Sequence, residues 1–255
     1  MDKQTEEILQ KIEEAEYVLV GLGQEFDMEF FLQSREDYRR IREQLQQQNV
    51  LWLLPYVEEQ FRRQYLPEME AEIEKGLQKL AKVLEKKSYF VVSSSLNHKL
   101  AEVPWKKMLL KKERFVAPCG DWTKKQCPDG CEEGIQTVTE ADEEQLQESF
   151  KKLQTNGFSV PDLGKCPKCG KKLVLNNVYA GRYDEKGYLK TWTEYQNWLQ
   201  TTLNHKMVLL EIGEGNRFPT IIRSPFERIA LFQQKADLYC IDGEQNPIAW
   251  LLSLC

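Results

Sequence analysis

The sequence predicts an α/β fold: a mostly parallel sheet covered by helices on both faces, with a small zinc-binding module inserted in it. Three observations carry this expectation. Short apolar runs of strand length alternate with longer stretches of helical periodicity. The first apolar run ends in glycines, where a buried strand turns sharply into the next element. Two close cysteine pairs stand mid-chain, within a segment at about residues 115–185. A length of 255 residues suits one large domain carrying such a module.

Residues 3–15 read as a short polar helix. "YVLVGLG" at 17–23 follows, a buried strand with a glycine turn, the usual opening of a Rossmann-like dinucleotide fold. Residues 29–48 are charged, Gln-rich and helical in period, and Pro55 and Pro67 punctuate the next stretch. "EMEAEIEKGLQKLAKVLEKK" at 68–87 is an amphipathic helix. "YFVVSSSLN" at 89–97 is a second buried strand with a polar carboxyl end. Between the cysteine pairs, "TEADEEQLQESFKKLQ" at 139–154 predicts a helix, with Thr139 as N-cap and Asp142 approximating a capping box. A helix at about 191–204, the strand "MVLLEIG" at 207–213, a helix from near Ser224, the strand "DLYCID" at 237–242 and a C-terminal helix complete the pattern. The expected organisation is a Rossmann-type domain over 1–114 and 186–255, with a helical insertion at about 29–87, and the zinc module at 115–185.

A net charge of −5 argues against general nucleic-acid binding, which needs a basic face to neutralise phosphates. The local basic runs Lys106-Lys107 and Lys111-Lys112 read as a solvated loop or helix face. The amino terminus is polar and acidic with no apolar signal-peptide core, and no stretch reaches the ~18–20 apolar residues of a membrane span. A cytoplasmic protein with no membrane partner is expected, and clustered cysteines there point to metal or redox chemistry rather than stable disulfides.

Cys166-Pro-Lys-Cys169-Gly is a zinc-knuckle pattern: a short turn aims both thiolates at one point, and Gly170 permits the bend. Cys127 and Cys131 form a second pair one residue wider, with Gly130 in its turn. Together the four thiolates suit a closed structural zinc site, in which the metal has no open position for catalysis. The alternative is incidental thiols; a redox pair fits less well, because this C-x-x-C does not open a helix after a strand. Cys240, inside a strand, is expected to be buried packing, and Cys255, the last residue, a bystander.

The order of motifs resembles the sirtuins, most of all the macrodomain-linked, or class M, microbial branch. The resemblance runs over roughly residues 15–250 and is carried by "YFVVSSSLNHKL", "CGDWTKKQCPDGC", "CPKCGKKLVLNN", "LLEIGEGNRFPTIIRSPFE" and "LYCIDGE". It implies a fold that cleaves nicotinamide from NAD and passes ADP-ribose to an acceptor, an acyl-lysine in deacylases and a protein in class M. It also assigns positions. Gly21-Leu22-Gly23 and Gly213-Glu214-Gly215 stand where family members approach the cofactor phosphates, and Asp242 stands where the adenosine ribose is held. Ser95 takes the place of the asparagine that holds the nicotinamide ribose and a catalytic water, and Asn97 that of an aspartate. Cys119 precedes Gly120 where deacylases carry histidine and class M carries glutamine.

Several of these positions depart from the family. Leu22 replaces alanine, Glu25 replaces a hydroxyl donor, and the cofactor loop after Phe26 has only Arg35 as a candidate arginine. Neither His98 nor His205 occupies the catalytic place, and His98 reads as a surface loop residue. Glu25 and Glu214 would set two carboxylates against a pyrophosphate. One like charge at ~4 Å costs roughly 4 kcal/mol at an effective dielectric of ~20, against about 8 kcal/mol for a micromolar ligand. The expected function is therefore a sirtuin-like protein, with zinc as structural metal, NAD or ADP-ribose as ligand, and activity weak or lost. Two alternatives remain: an active NAD-dependent ADP-ribosyltransferase or deacylase with Ser95, Asn97 and Cys119 as catalytic residues, and a non-catalytic scaffold that meets a protein partner through its charged helices.

Overall fold

The computed structural model describes residues 3–27, 29–103, 105, 114–131 and 135–254. The lysine runs at 106–107 and 111–112 and Cys255 lie outside the described residues. In chain order the elements are α1 (Lys3–Glu14), β1 (Tyr17–Leu22), α2 (Glu29–Leu32), α3 (Glu36–Gln47), α4 (Leu54–Tyr65), α5 (Pro67–Val83), β2 (Ser88–Ser93), α6 (Lys99–Glu102) and β3 (Phe115–Val116). Then come β4 (Gly120–Gln126), β5 (Gln136–Thr137), α7 (Glu140–Gln154), β6 (Val174–Asn177), α8 (Leu189–Gln200), β7 (Met207–Ile212), α9 (Arg223–Phe232), β8 (Ala236–Ile241) and α10 (Pro247–Ser253).

The larger sheet has five strands in the order β3-β2-β1-β7-β8, all parallel. Parallel strands need helical crossovers, so both faces are covered, and their sequences run apolar without alternation. Val18, Val20 and Leu22 of β1 point to one face, where α1, α5 and α10 pack with Ile8, Leu77 and Leu251. Leu19 points to the other, among Trp198 of α8 and Phe226 of α9. Burying each such side chain is worth about 1.5–3 kcal/mol. The α5 stripe of Ile73, Leu77, Leu80 and Ala81 repeats at helical spacing and turns to the sheet.

A second, three-stranded antiparallel sheet, β5-β4-β6, carries the cysteine segment. The helix between the cysteine pairs is α7, started by a full capping box: the Thr139 hydroxyl accepts from the Asp142 N–H, and the Asp142 carboxylate accepts from the Thr139 N–H at 2.8 Å. The stretch expected as one helical insertion divides between two cores. Tyr38, Ile41, Trp52 and Phe61 of the segment carrying α3 and α4 share a core with Trp122, Phe150 and Leu163 of the small module, whereas α5 belongs to the large sheet.

Two residue-level expectations are corrected. Cys240 is exposed, because β8 is the edge strand of the sheet and most of its residues are only partly covered. His98 is buried and accepts a hydrogen bond at its Nδ1 from the Trp122 indole N–H at 3.0 Å, joining the β2 end to the small module.

Candidate functional site

Because all five strands are parallel, their carboxyl ends gather at one edge of the sheet. From β1 the chain builds outward through β2 and β3, then returns to β7 on the other side of β1. The gap between the ends of β1 and β7 is thus the switch point where open α/β sheets hold ligands. Gly23, Ser94 to Asn97, Gly213 to Arg217 and Asp242 all lie there.

The glycine turns serve close approach. A methyl on Gly23 would stand 2.3 Å from the Gly213 carbonyl oxygen and the Glu214 Cα. The two turns touch through backbone, with the Gly23 N–H donating to Ile212 O at 2.9 Å and the Glu25 N–H to Gly213 O at 3.0 Å. Those amides are spent on the protein. Gly21 lets Ile222 and Phe226 of the α9 side reach β1, where a methyl would meet the Ile222 Cγ2 at 2.4 Å. The Leu22 side chain is fully buried in the core.

Glu214 does not stand as a free carboxylate. It is 2% exposed and accepts from the Ser94 hydroxyl at 2.6 Å. Burial pushes its pKa up to about 7, the Ser94 hydrogen bond opposes this, and Glu211 adds to it. Glu25 is half-buried, and burial raises it from the usual range, with Asp242 acting in the same direction. Arg223 ties this side together, donating to Glu211 at 2.7 Å, to the Glu214 carbonyl at 3.0 Å and to Asp242 at 3.1 Å.

Beneath Ser95 lies a buried charged cluster that the sequence patterns did not disclose. Asp27 is fully buried and accepts from the Ser95 hydroxyl at 2.5 Å, the Leu96 N–H at 2.7 Å and the Arg217 guanidinium. Burial raises its pKa, and Arg217 is the largest opposing influence. Arg217 also donates to Glu29 at 2.9 Å and to the Tyr179 hydroxyl at 3.3 Å, so the small module touches the site. Asn97 is a bracing residue: its amide donates to Phe26 O at 3.3 Å and its carbonyl accepts from Arg62. Arg62 in turn pairs with the buried Glu59 at 2.7 Å. Cys119 is fully buried beside this cluster; burial lifts its thiol far above the ordinary range, Asp27 and Glu214 push the same way, and Arg217 opposes. The group is a protonated thiol at neutral pH, unsuited to general-base work.

Ser95, Cys119 and Glu214 thus share one buried polar region with Asp27 and Arg217, while Asp242 lies at its outer rim and Asn97 on its far side. Arg35 stands elsewhere, paired with Asp37 at 2.8 Å and stacked 3.4 Å over the Tyr65 ring. Nothing local in the sequence marks Asp27, Glu59, Arg62 and Arg217 as site residues. "VEEQFRRQ" in α4 has the spacing of solvent-facing helix pairs, and "QEFD" and "GEGNR" sit in turns where charge is ordinary. Outside the cluster, a cavity of about 570 Å³ opens beside Gln24, Glu25, Phe31, Gly243, Asn246 and Pro247. That volume falls in the usual range for a small-molecule pocket.

The four module cysteines converge. Their sulfurs all lie within 4.8 Å of one another, and none is in a disulfide. A tetrahedral zinc with Zn–S bonds of about 2.3 Å needs sulfurs about 3.8 Å apart, and the Cys127–Cys169 separation is 3.5 Å. Gly130 and Gly170 take positive φ in the two knuckle turns, at 67° and 73°. Four soft sulfurs with no competing carboxylate fit zinc.

No family model matches this sequence, and no curated protein matches it. Among solved structures, the chain is similar to a Sir2 homolog in complex with NAD, at 12% identity and TM-score 0.48, over 98% of this chain and 86% of the other. It is also similar to a Sir2–p53 peptide–NAD+ complex, at 14% identity and TM-score 0.47, over 99% and 96%. No helix among the described residues is long and apolar enough to cross a membrane.

Proposed function

We propose that this chain is a sirtuin-like nucleotide-binding protein that takes NAD or ADP-ribose at the switch point between β1 and β7, with transferase chemistry weak or lost. The observation that carries the reading is the convergence, at the carboxyl ends of one parallel sheet, of two glycine turns, the Asp242 carboxylate and an adjoining cavity of about 570 Å³. In this reading Gly21, Leu22 and Gly23 form one wall of the phosphate site through their backbone, Gly213, Glu214 and Gly215 form the other, and Asp242 accepts the adenosine ribose hydroxyls. The electrostatic objection from Glu214 weakens, because a carboxyl with a pKa of about 7 is half neutral at physiological pH and directs itself at Ser94.

Activity is the weaker half. Cys119 stands where the family's base would be, and its buried thiol holds its proton. The Ser95 hydroxyl is committed to Asp27, and Asn97 to Phe26 and Arg62. Cys127, Cys131, Cys166 and Cys169 hold a structural zinc on this reading, in the reducing interior of a cell. Calorimetric titration of metal-checked protein with NAD and with ADP-ribose tests the proposal. Micromolar binding of either supports it. Binding of neither at millimolar concentration leaves a scaffold and refutes it.

A further inference from the structure

Gln24 follows the first glycine turn and lies against the second. A methyl on Gly215 would stand 1.5 Å from the Gln24 Nε2 and 2.3 Å from its Cδ, so the carboxamide fills the space over that glycine. The Gln24 side-chain carbonyl accepts from the Arg217 backbone N–H at 3.0 Å. The N–H groups of Gly215 and Asn216 in the same turn have no acceptor among the described residues. Backbone N–H groups at a glycine-bearing turn are donors of the kind that hold anions. The Gln24 carbonyl oxygen already occupies one of them, the Arg217 N–H. Gln24 also lines the 570 Å³ cavity, so its side chain has an open direction in which to move.

We propose that Gln24 is a displaceable plug of the phosphate turn. In the free protein its carbonyl oxygen stands in for a phosphate oxygen on the Arg217 N–H. A bound pyrophosphate replaces it, and the carboxamide swings into the cavity. The proposal rests on the nucleotide reading above and adds to it a residue that sets affinity. Ligands that carry a pyrophosphate must displace Gln24, and a bare nucleoside, held toward Asp242, need not.

The geometry bears on the first turn as well. The amides of Gly23 and Glu25 are already spent on Ile212 and Gly213, which leaves the Gln24 N–H in the first turn, and the β7 turn offers the larger set of backbone donors. Gly215 has no side chain of its own over this spot, which is why the glutamine of another turn can fill it. The plug therefore lies where a ligand would need the donors most.

The test is titration of three proteins, wild type, Gln24→Ala and Gln24→Glu, with ADP-ribose, inorganic pyrophosphate and adenosine. Thermal melts first establish that all three fold. Freeing one neutral hydrogen bond of the plug should tighten ADP-ribose and pyrophosphate binding to Gln24→Ala by a factor of about 2 to 10, with adenosine unchanged. Gln24→Glu should bind both anions more weakly than wild type. If wild type binds ADP-ribose and Gln24→Ala binds it no tighter, the plug is overturned and the nucleotide reading stands. If Gln24→Ala gains pyrophosphate binding while none of the proteins binds ADP-ribose, the plug stands and the nucleotide reading fails. Silence of all three proteins toward every ligand overturns both.

Discussion

Replacing Glu214 by glutamine isolates the cost of one buried carboxyl. In the folded chain burial holds its pKa at about 7, whereas the unfolded chain has the ordinary value of 4.5. The folded state therefore keeps its proton through a window in which the unfolded state has lost it. That contribution to stability is fully present below pH 4.5 and is lost as the pH rises through 7. At 1.36 kcal/mol for each pH unit between the two values, the loss reaches roughly 3 kcal/mol by pH 8.5. Glutamine has no proton to lose, and its carbonyl can still accept from Ser94. Relative to its offset from wild type at pH 5, the Glu214→Gln protein should gain about 2.5 kcal/mol by pH 8.5, the first part of the loss having already occurred between pH 4.5 and 5. Urea unfolding followed by tryptophan fluorescence reads this as a midpoint difference growing by about 1 M, for a slope of about 3 kcal/mol/M. Titrating groups distant from Glu214 are common to both proteins and cancel in the difference, whereas its neighbour Glu211 is relieved of a like charge in the variant, which acts in the same direction. A difference that does not change with pH, or wild type gaining on the variant as the pH rises, would refute the reasoning.

Metal analysis of purified protein should return about one zinc per chain, and Cys166→Ser should lose the metal and loosen the core around Trp122, Phe150 and Leu163, seen as lost near-ultraviolet circular dichroism. Metal-free protein with an intact core would count against the site. Gly23→Ala forces a methyl onto the Gly213–Glu214 backbone and should cost about 3 kcal/mol, a fall of roughly 6–12 °C in Tm, whereas Gly181→Ala, which meets no atom within 4 Å, should be near neutral. In native protein at mildly alkaline pH, iodoacetamide should modify the exposed Cys240, slowly because partial burial pushes its thiol up to about 11, and spare the buried Cys119 until urea unfolds the chain, as peptide mass mapping will report. Early labelling of Cys119 would mean that its pocket opens in the native state.

The sequence by itself determined part of the layout: the strands β1, β2, β7 and β8, where α7 begins, and which four cysteines belong together, but not β3 or the small sheet β5-β4-β6. Each of those signals is local. Unbroken apolar runs such as Val18–Val20 are what a strand buried on both faces requires, Thr139 and Asp142 close their capping box within one helical turn, and the knuckle turns hold their cysteines three and four residues apart. Glycines, too, were legible as turns, though not their purpose, since the Gly23 clash is with residues about 190 positions away. Tertiary structure alone decided the electrostatics of the site. Ser94 meets Glu214 across 120 positions, and Arg217 meets Asp27 across 190, so no window of sequence contains either pair. Burial then set their chemistry: it moved Glu214 toward neutrality and locked the proton on Cys119. It also drew His98, expected at the surface, under Trp122. A residue type and its spacing carry the donor or acceptor; the charge it holds depends on what the fold lays over it.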